Sequence, residues 1–142
     1  MEKPKQKISR EVAEQEFIKF CDSWNIDTDE EDFDDEERQD YKTQKRKIIR
    51  AIRDGRLYLL EDNELLEYKL KKPVNELQKL TIKRPDGPAF LSMDKYKERE
   101  SVHKTFSLIA GMCGENPKLL SRVLDGIDIL TLMGINALFF GS

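Results

Sequence analysis

With 142 residues and a mass of 16.7 kDa, the chain has room for one domain plus tails, which excludes a large multidomain enzyme. Twenty-eight acidic against 25 basic side chains give a net charge of -3, so no chain-wide cationic surface for nucleic acid or anionic lipid is expected and any basic patch is local. Two cysteines, Cys21 and Cys113, far apart and outside any C-x-x-C spacing, point to neither a disulfide framework nor a zinc knuckle and fit a reducing, cytosolic setting.

The first ten residues, MEKPKQKISR, are charged and lack the apolar core of a signal peptide. No apolar run reaches the roughly 18 residues needed to cross a bilayer, so a soluble intracellular protein with no membrane partner is expected. Charge then divides the chain. Residues 1–40 carry 15 acidic and 6 basic side chains, a net of -9, whereas residues 41–72 carry 10 basic and 5 acidic ones, a net of +5. This predicts two parts: an N-terminal helix with an acidic linker over residues 1–40, standing apart as an appendage, and an α+β domain over residues 41–142.

Within the appendage, Ser9 reads as an N-cap, and Ala13, Phe17, Phe20 and Trp24 follow at spacings of four, three and four, which places them on one face of a helix over residues 9–24. Ten carboxylates then crowd residues 27–40 with Phe33 as the lone apolar anchor, a pattern expected to repel itself and stay a solvated linker. The next helix is expected over about 36–54, with acidic residues at its start, Tyr41, Ile48 and Ile52 on one stripe, and Gly55 closing it. The period then changes to two. Residues 56–61 and 64–70, separated by Asp62-Asn63, read as a β-hairpin, and residues 78–83 as a third strand ending at the turn Pro85-Asp86-Gly87-Pro88. The fold class predicted is therefore α+β, a small antiparallel β-meander packed with a C-terminal helical cluster.

In that cluster Val102, Phe106, Ile109 and Cys113 repeat at helical spacing before Gly114, and Asn116-Pro117 forms an N-cap and first-turn pair for a short helix carrying Leu120, Val123 and Leu124. Residues 127–140 hold ten apolar side chains out of fourteen and no Lys or Arg, so this helix is apolar nearly all round. On the residues alone, a central core helix and a helix with one face free for a partner are both open. Extending the spacing of Val123 and Ile127 assigns Leu130, Met133, Ala137 and Phe140 to the core. It leaves Leu132, Ile135, Leu138 and Phe139 as the candidate partner-binding residues.

No catalytic or metal constellation emerges. Aligned on a calcium loop beginning at Asp27, the sixth position is Asp32 instead of Gly and the twelfth is Arg38 instead of Glu. The single histidine, His103, has no nucleophile beside it, and Gly111-Met-Cys-Gly114 lacks the Lys-Ser/Thr pair of a phosphate loop. No cofactor, no metal and no enzymatic activity are expected. Seven cations within residues 41–56 support one alternative, a small nucleic-acid-associated regulatory module contacting phosphate through Lys45, Arg46, Arg50 and Arg53. The adjacent acidic run competes for those cations, and no zinc finger or aromatic RNA-binding strand accompanies them, so nucleic acid is the lesser expectation.

From Leu66 onward the order of features resembles the phage tail assembly chaperones of the tail protein E type, found in Mu-like and related phages and prophages. The residues that carry the likeness are Leu70, Lys72 and Pro73 closing one strand, Leu77, Leu80, Ile82, Arg84 and Pro85 along the next, Lys95 near the start of a polar helix, an apolar helix from Leu108 to Gly114, and the stretch from Leu120 to Phe140 ending in aromatics. The resemblance covers about the last 75 residues. It implies a non-enzymatic protein of the bacterial host cytoplasm, absent from the mature virion, that binds the tape-measure protein through apolar surface during tail morphogenesis and recruits tail-tube protein. A homo-oligomer is expected from the unfilled apolar surface and open sheet edge.

Overall fold

The computed structural model describes residues 8–60, 64–88 and 101–141. The hairpin turn at Asp62-Asn63 and the polar helix expected near Lys95 lie outside them. Helix α1 (Arg10–Ser23) leads through a short 3-10 turn (Glu30–Asp32) to α2 (Asp35–Arg53). Strands β1 (Leu57–Leu60), β2 (Leu65–Val74) and β3 (Leu77–Ile82) follow, then α3 (Ser101–Cys113), α4 (Pro117–Val123) and α5 (Gly126–Gly141). The strands form one antiparallel sheet in the order β1-β2-β3 with helices before and after it, an α+β fold.

Helix α1 starts where the Ser9 hydroxyl accepts the Val12 N–H at 3.2 Å. It ends where Asn25 turns left-handed at φ 59°, so that Ile26 N–H reaches back to Cys21 C=O at 2.8 Å and Asn25 N–H to Asp22 C=O at 3.2 Å. Its stripe of Ala13, Phe17, Phe20 and Trp24 is buried as the spacing predicts. These side chains lie in the same core as Ile48, Ile52, Leu66, Tyr68 and Ile135, so α1 is built into the fold instead of standing apart from residues 41–142. Trp24 carries the junction. Its indole N–H donates to Glu64 C=O at 2.9 Å, and its ring meets Phe20 edge-on at 5.0 Å and Phe139 at 6.2 Å.

The acidic stretch is more ordered than its charge suggests, because several of its carboxylates are capping groups. Asp29 accepts from Glu31 N–H at 3.1 Å and caps the 3-10 turn. Asp34 and Glu37 form a reciprocal capping box on α2, with Glu37 N–H donating to Asp34 at 2.7 Å. Phe33 sits half-buried against the Tyr41 ring at 5.4 Å. Arg38 ties the stretch together through the carbonyls of Glu30 and Phe33. The physical reason is that unsatisfied N–H groups at a helix start attract carboxylates, which offsets part of their mutual repulsion.

Helix α2 buries Tyr41, Ile48, Ile49, Ala51 and Ile52. It closes at Gly55 with φ 75°, where Arg56 N–H returns to Ala51 C=O at 3.0 Å. In the sheet Tyr68 pairs with Leu57 on one side and Leu80 on the other, and Leu66 lies opposite Leu59 and Ile82. Those residues share the face that packs against the helices, and the alternating positions Glu67, Lys69, Lys79 and Thr81 make up the polar face. On it Glu67 accepts from Tyr58 Oη at 2.5 Å and pairs with Lys79 at 3.1 Å. The β2–β3 register shifts between Lys69 and Val74, the stretch that holds Pro73.

In the C-terminal cluster Asn116 accepts from Lys118 N–H at 2.8 Å to begin α4, and α4 ends at Leu124, leaving Asp125 to start a new helix. Asp125 accepts from Ile127 N–H at 3.1 Å, and Asp128 accepts from Asp125 N–H at 3.1 Å.

Two of these caps give the fold an acid limit. Backbone hydrogen bonds hold the carboxyls of Asp34 and Asp125 below the ordinary value of 3.8, through Glu37 N–H for the first and Ile127 N–H for the second. A carboxyl with a lowered folded value contributes stability that is fully present above its unfolded value and is lost as pH falls through the folded one. Urea midpoints should therefore be level between about pH 7 and 5 and fall below about pH 4. Asp34→Asn and Asp125→Asn together should shrink that fall, and an unchanged acid limb in the double variant would contradict the assignment.

Candidate interaction surface

Helix α5 organises the site. Its apolar residues divide into two faces, and the structure reverses the assignment made from the spacing. Leu132, Ile135 and Leu138 are 3%, 0% and 5% exposed and belong to the core, with Phe139 half-buried against Trp24. Leu130 and Met133, expected inside, are 51% and 42% exposed, Ile127 is 43% exposed, and Ala137 is exposed as well. Phe140's side chain lies outside the described residues. The reason is the break at Leu124-Asp125: α4 and α5 are separate helices, so the stripe through Val123 does not continue along α5.

One polar network sets how α5 is rotated. Asp128, 0% exposed, accepts hydrogen bonds from the Tyr68 hydroxyl on β2 and from Lys71 N–H at 2.9 Å. Tyr68 Oη also accepts from Arg56 Nη1 at 2.6 Å, and Arg56 Nη2 pairs with Asp54 at 3.1 Å. Burial, and then the hydrogen bond to Asp128, push the Tyr68 hydroxyl well above its usual range, which keeps it neutral and donating. With Asp128 fixed on the sheet, the residues four and seven further on, Leu132 and Ile135, face inward by helical geometry. This network was hidden in the sequence. The signal was an Asp three residues after a capping Asp inside an otherwise apolar helix.

Helix α2 packs alongside α5, and the two approach closely at Gly134, where a Cβ would stand 3.1 Å from Gln44 Oε1. Toward the C-terminal end of α2 a cavity of about 490 Å³ opens between the helices. Arg46, Lys47, Arg50 and Lys71 bring positive charge to it, Ile127 and Leu130 give it an apolar wall, and Arg56 and Asp54 line its inner end. Arg56 is 9% exposed, and its Nε has no hydrogen-bond partner.

The four cations expected to contact phosphate divide in two. Lys45 pairs with Glu14 at 2.9 Å and lies over the Phe17 ring, which holds α1 on α2, and Arg53 Nε donates to Ile8 C=O at 3.3 Å, which holds the segment leading into α1. Arg46 and Arg50 are exposed and line grooves on both sides of α2.

No family model matches this chain, no curated protein matches its sequence, and no solved structure matches its fold.

Burial pushes the thiols of Cys21 and Cys113 up to about 12, with the Asp22 charge adding to the first and Glu115 to the second. At pH 8 the thiolate fraction of each is on the order of 10⁻⁴, so both should react with a disulfide reagent orders of magnitude more slowly than the denatured chain. Rapid labelling of the native protein would contradict this placement. His103 is exposed on α3. Among the described residues no group of three or more His, Cys, Asp or Glu side chains could hold a metal ion, and no helix is long and apolar enough to cross a membrane.

Proposed function

We propose that this chain is a non-enzymatic binding protein that covers apolar surface on a partner polypeptide, and that it serves as a phage or prophage tail assembly chaperone acting on the tape-measure protein. The observation that carries this reading is the outer face of α5. Ile127, Leu130 and Met133 are half-exposed at a spacing of three on a helix whose other face is core, and they are three of the five large apolar side chains exposed among the described residues. A long helical tape measure presents apolar stripes that need cover before the tail tube encloses them, and a ridge of flexible aliphatic side chains beside a groove suits such a partner. The order of strands and helices from Leu66 to Phe140 supports the same reading through its resemblance to the tail protein E family. Recruitment of tail-tube protein, self-association in the absence of a partner, and action in the bacterial cytoplasm are parts of this proposal.

The test is co-expression with a tape-measure fragment. Leu130→Gln with Met133→Gln should leave the urea midpoint nearly unchanged, because neither side chain leaves a cavity, while the fragment loses co-solubilisation. A fragment that stays soluble with the double variant would overturn the assignment of the surface.

The exposed pair Arg46 and Arg50 favours a second reading, phosphate binding in a nucleic-acid-associated module. The two separate by salt: phosphate contacts weaken steeply as salt rises, and apolar docking does not.

A further inference from the structure

We infer that the cavity between α2 and α5 is a docking groove for an amphipathic helix whose apolar stripe is flanked by carboxylates. This inference rests on the polypeptide-binding reading above and names the chemistry of the segment bound. Two observations combine. The apolar wall is Ile127 and Leu130, neighbours one turn apart on α5, and Met133 continues the exposed apolar surface around the helix outside the cavity. The opposite wall is cationic: Arg46, Lys47 and Arg50 on α2, with Lys71 from β2 at the end.

Among the described residues the one acidic side chain lining the cavity, Asp54, is paired with Arg56 at 3.1 Å. The groove therefore presents net positive charge beside apolar surface, and Arg56 is held at its inner end by Tyr68 and Asp54. A partner helix laid on Leu130 would bring its flanking side chains within reach of the α2 cations. Carboxylates there form charge pairs, and Lys or Arg would meet like charge. The complementarity is directional as well. A separate cavity of about 280 Å³ further along α5, at Ala137 and Leu138, is lined by Asp27, Glu37 and Asp40, so the carboxylates of the partner belong at the Ile127 end.

Three synthetic helical peptides of about twenty residues serve as probes, sharing one Leu stripe and differing in whether the flanks carry Glu, Gln or Lys. Binding to the full chain is read by fluorescence anisotropy at low and high salt. The Glu-flanked peptide should bind about tenfold or more tightly than the Lys-flanked one, with the gap closing at high salt. Arg46→Glu with Arg50→Glu, two exposed positions that leave the fold alone, should reverse the order, and Leu130→Gln should weaken all three.

Equal binding of the three peptides with loss on Leu130→Gln would overturn the acidic flank and leave the apolar docking reading standing. Absence of binding, or binding indifferent to Leu130→Gln, would overturn both. A DNA duplex that displaces the Glu-flanked peptide, and loses affinity in the Arg46→Glu, Arg50→Glu variant, would reassign the groove to phosphate.

Discussion

Trp24→Ala should destabilise the protein by about 3–5 kcal/mol, the range for truncating a large buried aromatic, and a chain lacking residues 1–26 should fail to fold. Trp24 is 1% exposed, stacks edge-on with Phe20 and Phe139, and donates its indole N–H to Glu64 C=O. It thus joins the N-terminal helix, the C-terminal helix and the start of β2. Removing it leaves a cavity where three elements meet and an orphaned carbonyl at the hairpin. Because it is the one tryptophan in the chain, its fluorescence reports the transition directly. A chain starting at residue 27 that retained a cooperative urea transition would show that α1 is an appendage after all.

Asp128→Ala should cost a comparable amount, about 3–5 kcal/mol, because it removes a buried carboxylate that satisfies several donors at once. The Tyr68 hydroxyl and the backbone N–H groups of Lys71 and Asp125 would lose their acceptor. Arg56, paired with Asp54 and donating to the Tyr68 hydroxyl, would keep the first contact while the second lost its anchor. Asp128→Asn, which keeps an oxygen for one side of the network, should cost less than Asp128→Ala. The comparison separates the carboxylate from the space it fills, since the two replacements remove different amounts of volume and of hydrogen bonding. If Asp128→Ala shifts the urea transition by less than about 1 kcal/mol, the network does not fix α5 on the sheet.

The elements that could be read from sequence are those where local chemistry and tertiary packing agree. Ser9, Asn116 and the glycines at 55 and 114 mark helix ends because unsatisfied N–H and C=O groups make the same demand in any context. The stripe from Ala13 to Trp24 and the alternation of Leu66, Tyr68 and Leu70 were legible because each element has one polar face, which fixes the other as buried. Helix α5 has no polar face, so its periodicity carries no information about orientation. Its rotation is set by Asp128 meeting Tyr68 across 60 residues, a long-range pairing that no local pattern encodes. The burial of Arg56 was hidden in the same way, as one cation among seven.

The acidic stretch misled for a different reason. A count of charges sees repulsion, whereas Asp29 and Asp34 act singly, as caps placed against the N–H groups of helix starts. For the proposed surface, the sequence singled out the C-terminal helix and the basic segment. It did not show that the two lie side by side, nor that Arg46 and Arg50 stay exposed while Lys45 and Arg53 hold α1 and the segment leading into it.

The central claim, that the outer face of α5 takes a polypeptide partner while its inner face is core, is tested most directly by methyl NMR on the full chain during titration with a tape-measure fragment. Resonances of Ile127, Leu130 and Met133 should shift or broaden in step with binding, and those of Leu132, Ile135 and Leu138 should stay in place. Perturbation confined to the sheet or to α1, or no perturbation of Ile127, Leu130 and Met133 with the fragment at saturation, would contradict it.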